Sequence, residues 1–169
     1  YGLNFEKVLK AVSKKTKCIM LCHLFGMPAR DTILLKDFCL KNNIFLLEDI
    51  SQSYGASING KLVGQFGDIS AGSLYSNKII TSGEGGIILS NNKKLVQDAE
   101  SYCNLFFGEK DRFVHEKIGF NYRMSGLAAA LANSQIKRLN TILNKRALIK
   151  EEYLKIFDKS QKYDVWDGL

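Results

Sequence analysis

Ile44-Phe-Leu-Leu-Glu-Asp49 is a short apolar run that ends in two acidic residues. An uninterrupted run of this length is typical of a strand buried on both faces, as in a parallel sheet. Its last residue, Asp49, would then emerge at the carboxyl edge of the sheet, where open α/β sheets bind their ligands. Asp49 is therefore either an ordinary helix cap or loop acid, or an anion held to pair with a cationic ring.

Strands and helices alternate on both sides of this run, which predicts an α/β fold with a mainly parallel sheet between helical layers. We predict strands at 17–23, 44–49, 69–75 and 86–90, and helices at 5–12, 32–41, 92–102 and, with or without a kink, 125–158. Asp31 is expected to cap the second helix, and 108–119 to form a loop. Five apolar residues of the last helical segment are expected to face the core: Leu127, Leu131, Leu139, Ile142 and Leu143.

A second stretch, Ser73-Leu-Tyr-Ser-Asn-Lys-Ile-Ile-Thr-Ser-Gly-Glu-Gly-Gly86, places Lys78 between apolar residues and a glycine-rich turn. Most lysines are solvated surface charges, and that is one interpretation of Lys78. Its apolar neighbours favour another, in which the stem is drawn out of water and the neutral amine is favoured. A neutral amine is the nucleophile that Schiff-base chemistry with an aldehyde cofactor requires.

Further motifs accompany these two stretches in chain order: Gln52-Ser-Tyr-Gly55, Gly67-Asp-Ile69 and Gly119-Phe-Asn-Tyr-Arg-Met124. Together they resemble the DegT/DnrJ/EryC1/StrS family of sugar-nucleotide aminotransferases, which depend on pyridoxal 5′-phosphate (PLP). The resemblance covers about residues 18–157. It implies the large domain of the fold-type I, or aspartate aminotransferase-like, fold. Around Lys78 the sequence is most similar to GDP-perosamine synthases, which aminate GDP-4-keto-6-deoxymannose.

The resemblance implies a role for each matching residue. Lys78 would form the Schiff base with PLP and move the proton of transamination, and Asp49 would pair with the pyridinium nitrogen. The others are expected as follows: Gln52 near the ring and its 3-hydroxyl, Ser73 at the cofactor phosphate, Asn121 at the phosphate of a partner subunit, and Tyr75 near the sugar. A loop amide and a core serine stay open as alternatives for Gln52 and Ser73.

Two positions bear on the substrate that the resemblance implies. Related family dehydratases carry histidine where this chain carries Lys78, so the lysine favours transamination, with glutamate or a similar amino donor. Gln52 differs from the acidic residue of many GDP-perosamine synthases, which leaves the exact sugar nucleotide open. The alternative is a non-catalytic PLP-fold protein with a binding or regulatory role, for which an intact set of Asp49, Ser73 and Lys78 would be unnecessary.

Composition argues against several other classes of protein. The 24 Lys+Arg exceed the 17 Asp+Glu, but many of the basic residues follow helical spacing without interleaved aromatics, which argues against nucleic-acid binding. An apolar segment of about 18 residues, as a membrane span needs, is absent from the sequence. Cys18 and Cys22 would lie roughly 13 Å apart along a strand, too far to share a zinc ion. With Cys39 and Cys103 they fit a cytoplasmic protein that has buried, reduced cysteines and no metal.

The chain of 169 residues is shorter than members of the resembled family. We therefore expect residues 1–169 to be the central part of the PLP-binding large domain, ending in the long helix that leads toward a small domain. A helix N-terminus that holds the cofactor phosphate would lie upstream. The isolated segment is then expected to be inactive, and the complete protein to be a homodimer with shared active sites.

Overall fold

Six strands and five helices form the part of the chain that the structure, a computed structural model, describes: residues 2–108, 113–115 and 117–158. The helices are α1 (Phe5–Ala11), α2 (Thr32–Asn42), α3 (Lys93–Cys103), α4 (Gly126–Lys137) and α5 (Leu139–Asp158). The strands are β1 (Cys18–Cys22), β2 (Phe45–Asp49), β3 (Ser57–Ile58), β4 (Lys61–Leu62), β5 (Ile69–Ser73) and β6 (Gly86–Leu89). Each predicted strand and helix is present, with bounds that differ by a few residues at most.

The main sheet has four strands in the order β1-β2-β5-β6. β2 pairs in parallel with both β1 and β5, whereas β6 runs antiparallel to β5. This arrangement confirms the predicted α/β fold with a mainly parallel sheet. Because parallel strands end at the same edge, Cys22 pairs with Asp49 and Asp49 with Ala71 at the carboxyl edge.

Two groups of buried apolar side chains hold these elements together. The first joins α2 to β1 and β2 and includes Leu21, Leu35 and Leu46, each at most 2% exposed. The second lies under the Lys78 stretch and includes Leu74 and Ile80. Burial of one such side chain contributes about 1.5–3 kcal/mol. The segments on both sides of Lys78 are thereby anchored in the core.

Helix ends show where a local sequence signal held and where it failed. Asn92 caps α3 as its position predicts, since its Oδ1 accepts from the backbone N–H groups of Lys94 and Leu95. The expectation for Asp31 was wrong. It stands before α2, but its Oδ2 accepts from the backbone N–H of Phe5 at 2.8 Å. Asp31 thus ties the beginnings of α1 and α2 together.

The last helical segment is divided at Arg138, so the kink allowed for in the prediction is a break between α4 and α5. Leu139 and Ile142 pack against the second apolar group, and Leu143 lies against Gly55, as expected of inward residues. The two predicted inward residues of α4 are exposed instead: Leu127 by 87% and Leu131 by 45%. They share a helix face, and α4 buries Ala132 on another.

Two further features differ from expectation or were missed. β3 and β4 form a two-stranded antiparallel hairpin whose turn has Asn59 and Gly60 at positive φ. Asn-Gly is a strong hairpin signal that the prediction overlooked. The cysteines are less buried than expected, because Cys18 is exposed and only Cys39 is fully buried. Among the described residues, no helix is long and apolar enough to cross a membrane, and no three His, Cys, Asp or Glu side chains are grouped so that they could hold a metal ion.

Candidate functional site

The carboxyl edge of the parallel strands brings three polar side chains together. Cys22 ends β1, Asp49 ends β2 and Ser73 ends β5. All three are half-buried rather than fully enclosed. Because this edge is where open α/β sheets bind ligands, it is the candidate functional site.

Asp49 is held at this edge through both carboxylate oxygens. Oδ1 accepts from the backbone N–H of Ser51 at 2.9 Å, and Oδ2 accepts from Sγ of Cys22 at 3.7 Å. Partial burial raises the pKa of Asp49, but the contacts with Ser51 and Cys22 and the positive charge of Lys78 lower it. The net result is a pKa below the ordinary value, so Asp49 is an anion at neutral pH.

Lys78 lies in the turn that follows β5. Its backbone N–H donates to the carbonyl of Tyr75 at 3.0 Å, and its side chain is half-buried. The Lys78 charge acts on both Asp49 and Cys22: it contributes to the lowered pKa of Asp49 and partly offsets the raised pKa of Cys22. The structure thus brings the two principal predicted residues, Asp49 and Lys78, into one electrostatic neighbourhood.

The glycine-rich turn after Lys78 folds back against the end of β5. Leu74 donates to the carbonyl of Gly85 and accepts from the N–H of Ser82, both at 2.9 Å. Gly85 has a φ of 137°, and a Cβ there would lie 2.6 Å from Cε of Met124. The backbone conformation therefore favours glycine at this position, because L side chains rarely adopt this φ, whereas the terminal methyl group of Met124 could move aside.

Ser73 presents a hydroxyl proton at the same edge. Its Oγ accepts from the backbone N–H of Tyr75 at 3.2 Å, so the hydroxyl proton is the part that can be donated to a ligand. Tyr75 itself is 46% exposed beside it. This geometry suits a donor to an anionic group better than it suits the alternative of a buried core serine.

Gln52 fastens the loop that follows β1. Its side-chain Oε1 accepts from the backbone N–H of Phe25 at 3.1 Å, and its backbone carbonyl accepts from the backbone N–H of Gly26 at 2.8 Å. The side chain is exposed, and its NH₂ group is the donor that remains for a ligand. Gln52 therefore holds the loop in place, as the loop-amide alternative expects. Its NH₂ group could in addition donate to a ligand.

Asn121 lies on a different surface. Its backbone forms an isolated bridge with Asn104, and its Oδ1 accepts from Nε of Arg123 at 3.2 Å. Within the described residues these are its contacts, rather than ones with Asp49 or Lys78. Beside it, the rings of Phe120 and Tyr122 stack with centroids 4.9 Å apart. The role of Asn121 toward a partner subunit stays a prediction.

Tyr54 also joins the site, although no role was predicted for it within the Gln52-Ser-Tyr-Gly55 motif. Its phenol is buried and donates to the carbonyl of Ser73 at 3.0 Å. Burial and, secondly, the negative charge of Asp49 raise the pKa of Tyr54 to about 12. The neutral phenol therefore links the segment after β2 to the end of β5.

Glu48 lies beneath the site, fully buried. Its Oε1 accepts from the N–H groups of Phe66 and Gly67 at 2.6 and 2.5 Å, and its Oε2 from that of Gly64 at 2.7 Å. Nε2 of His23 is 3.0 Å from Oε2. We call these contacts the Glu48 network.

The carboxylate of Glu48 stays ionised although it is buried. Burial raises the pKa of Glu48, but the hydrogen bonds from His23 and from three backbone N–H groups bring it below the ordinary value. His23 accepts from the N–H of Ala29 through Nδ1, so Nε2 carries the proton that faces Glu48. The sequence contained a signal for this network that the prediction missed. Side chains alternate along a strand, so Glu48 points to the face opposite Asp49, and a buried carboxylate there needs hydrogen-bond donors.

Comparison with known proteins places this chain in a family. The profile of the DegT/DnrJ/EryC1/StrS aminotransferase family matches residues 1–166. The chain belongs to this family. Two relatives are GDP-perosamine synthases: the one from Vibrio cholerae is 36% identical over 89% of the chain, and the one from Escherichia coli O157:H7 is 32% identical over 92%. The family resemblance predicted from the motifs is confirmed.

A solved family fold agrees with the architecture. An aminotransferase from Helicobacter pylori, described as involved in the biosynthesis of pseudoaminic acid, superposes with a TM-score of 0.86 at 26% identity, over 92% of this chain. The predicted aminotransferase fold is thus confirmed over the part of it that is present. The chain spans only 41% and 42% of the two curated relatives and 42% of the solved structure.

Proposed function

We propose that the protein containing this chain is a PLP-dependent aminotransferase that acts on a nucleotide-linked keto sugar. One observation carries the proposal: the carboxylate of Asp49 and the side chain of Lys78 lie near each other at the carboxyl edge of the sheet, in a chain of this aminotransferase family. PLP chemistry requires a carboxylate that pairs with the ring nitrogen and an amine that reacts with the aldehyde, and both groups lie at this sheet edge.

The residues at the edge fit PLP by their chemistry. The low pKa of Asp49 provides a fixed anion for a protonated ring nitrogen. The hydroxyl of Ser73 has a proton to donate to the phosphate, and the NH₂ group of Gln52 has protons for the ring 3-oxygen. Bound PLP would supply an electron sink for the carbon that exchanges its amino group.

Lys78 is the residue that reacts in this proposal. Its amine would hold the cofactor aldehyde and carry a proton to and from the reacting carbon. Asp49 would keep the ring nitrogen protonated, because a neighbouring anion favours the cationic form. Tyr75, partly exposed beside Ser73, would face the sugar of the substrate.

The complete protein would be a homodimer in which Asn121 reaches the phosphate of the partner's cofactor. This follows from the family motif, and the exposed position of Asn121, outside the Asp49 edge, supports it. Residues 1–169 would form the central part of the PLP-binding large domain, with α5 leading toward a small domain.

GDP-4-keto-6-deoxymannose is the substrate we propose, with glutamate as the amino donor. The support is that two similar relatives are GDP-perosamine synthases and that the sequence around Lys78 is of that type. The product would be an amino sugar for surface polysaccharides.

Reductive labelling of the complete protein tests the proposal. The protein is loaded with PLP, reduced with borohydride in amine-free buffer and mapped as peptides. We expect the cofactor on Lys78, with no labelling or transamination in Lys78→Ala and both retained in Lys94→Ala, a matched change of an exposed lysine.

Label on a different lysine, or turnover by Lys78→Ala, would contradict the role of Lys78. Label on Lys78 without glutamate-dependent amination of any keto sugar nucleotide would favour the alternative of a non-catalytic PLP-binding protein.

A further inference from the structure

We propose that Cys22 is a positioning residue for Asp49: its thiol donates to Oδ2 and holds the carboxylate in the orientation in which it meets the cofactor. This inference rests on the proposed function, because it assigns a second residue to the ring-nitrogen site. The family motifs do not include Cys22, and it enters through the fold alone.

The contact follows from strand register. β1 and β2 are parallel, and Cys22 and Asp49 are paired at their last positions. Side chains of paired residues project from the same face of a sheet, so these two meet. Sγ of Cys22 lies 3.7 Å from Oδ2 of Asp49, while the other oxygen is bound by Ser51. Ser51 therefore holds Asp49 from one side and the Cys22 thiol holds Oδ2.

A thiol suits this place because it stays neutral. Burial and then the charge of Asp49 raise the pKa of Cys22, and the opposing effect of Lys78 does not reverse this. The sulfur therefore keeps its proton at neutral pH and can donate it, whereas a thiolate would repel Asp49. The remaining ionisable neighbour of Asp49, Tyr54, is also neutral.

The consequence concerns orientation rather than charge. A half-buried carboxylate that is bound on one oxygen only can rotate about its last bond. With Cys22 on Oδ2 and Ser51 on Oδ1, rotation would cost both hydrogen bonds. Preorganisation of this kind lets a site bind its ligand without first ordering the side chain.

The contact can be tested in the complete protein without cofactor. Alkylation of Cys22 by iodoacetamide is followed by peptide mapping across pH, in the unaltered protein and in Asp49→Asn. Removal of the negative charge should lower the pKa of the Cys22 thiol and make its alkylation at pH 8 roughly threefold to tenfold faster. Cys18 is the internal control, since its raised pKa comes from burial and Asp68 and not from Asp49. The same pH dependence of Cys22 in both proteins would overturn the contact.

The positioning role is tested with Cys22→Val and Cys22→Ser, measured by PLP dissociation constant and by the absorbance spectrum of bound PLP against pH. Valine lacks the donor, so we expect about threefold to tenfold weaker PLP binding and a shifted pH dependence of the spectrum. Serine keeps a donor and should restore both. Equal effects of valine and serine, or no effect of valine, would overturn the role.

The failure of the proposed function is distinguishable from failure of this inference. If the unaltered protein bound no PLP, the proposed function would fall and the positioning role with it, even where alkylation confirms the contact. If PLP bound normally but alkylation were insensitive to Asp49→Asn, only the inference about Cys22 would fall.

Discussion

The ring of Tyr54 packs directly on the backbone of Gly72. A Cβ at Gly72 would lie 2.8 Å from Cζ of Tyr54, so only glycine allows the ring this position. Gly72 directly precedes Ser73, whose carbonyl accepts from the Tyr54 phenol. The absence of one side chain thus lets Tyr54 reach the end of β5.

Gly72→Ala should be strongly destabilising. The added methyl group would collide with a buried ring, and overpacking of this kind costs about 1–3 kcal/mol. Urea unfolding of the complete protein measures the loss. Gly126→Ala is the matched control, because nothing lies within 4 Å of a Cβ there and its φ is not positive. An equal free energy of unfolding for Gly72→Ala and the unaltered protein would contradict the packing.

Tyr54→Phe should separate the hydrogen bond from the packing. The ring is retained, and only the bond to the carbonyl of Ser73 is lost, at a cost of about 0.5–1.5 kcal/mol. The same unfolding measurement applies, with Tyr153→Phe, an exposed tyrosine on α5, as the control. If Tyr54→Phe lowered the free energy of unfolding as much as Gly72→Ala does, the phenol would contribute more than its hydrogen bond to the carbonyl of Ser73.

The Glu48 network should make stability depend on pH. Because the pKa of Glu48 is lower in the folded state, its contribution is present above the ordinary value of 4.5 and is lost as pH falls through the folded pKa. Glu48→Gln should cost about 2–4 kcal/mol at pH 7 and progressively less as the pH falls below 4.5, since protonation removes the same charge in the unaltered protein.

Chemical unfolding at several pH values measures this difference. Glu152→Gln is the control: Glu152 is 70% exposed and forms an ion pair with Lys155, so it should change stability by less than about 0.5 kcal/mol. A cost of Glu48→Gln that stays the same from pH 7 down to the most acidic pH at which the protein is still folded would show that the charge of Glu48 is not what the network needs.

Asp49→Asn should slow catalysis more than it weakens PLP binding. Asparagine keeps the shape but cannot keep the ring nitrogen protonated, so kcat should fall on the order of 100-fold. Steady-state kinetics and a PLP titration give the two quantities, with Asp37→Asn on the exposed face of α2 as the control. An unchanged kcat would make Asp49 a structural acid.

The sequence by itself predicted the strands of the main sheet and the helices, and it singled out Asp49 and Lys78. Strand β2 depends on a run of neighbouring residues. The helix starts at Asn92 and Ser125 also depend on residues close by in the sequence. Such local patterns can be recognised from the sequence alone. Asp49 was predicted because it ends an apolar run, which places it at a sheet edge. Lys78 was predicted because apolar residues flank it and a glycine-rich turn follows.

Tertiary structure alone decided which side chains meet across the chain. The contacts of Cys22 with Asp49 and of Tyr54 with Ser73 span 27 and 19 residues, and the Glu48 network joins residues up to 25 apart. Asp31 bonds to Phe5 instead of capping its own helix for the same reason. Parallel strands are joined by long crossover segments, and the packing of those segments decides which strands become neighbours and in which register. Local sequence patterns therefore do not show which side chains meet.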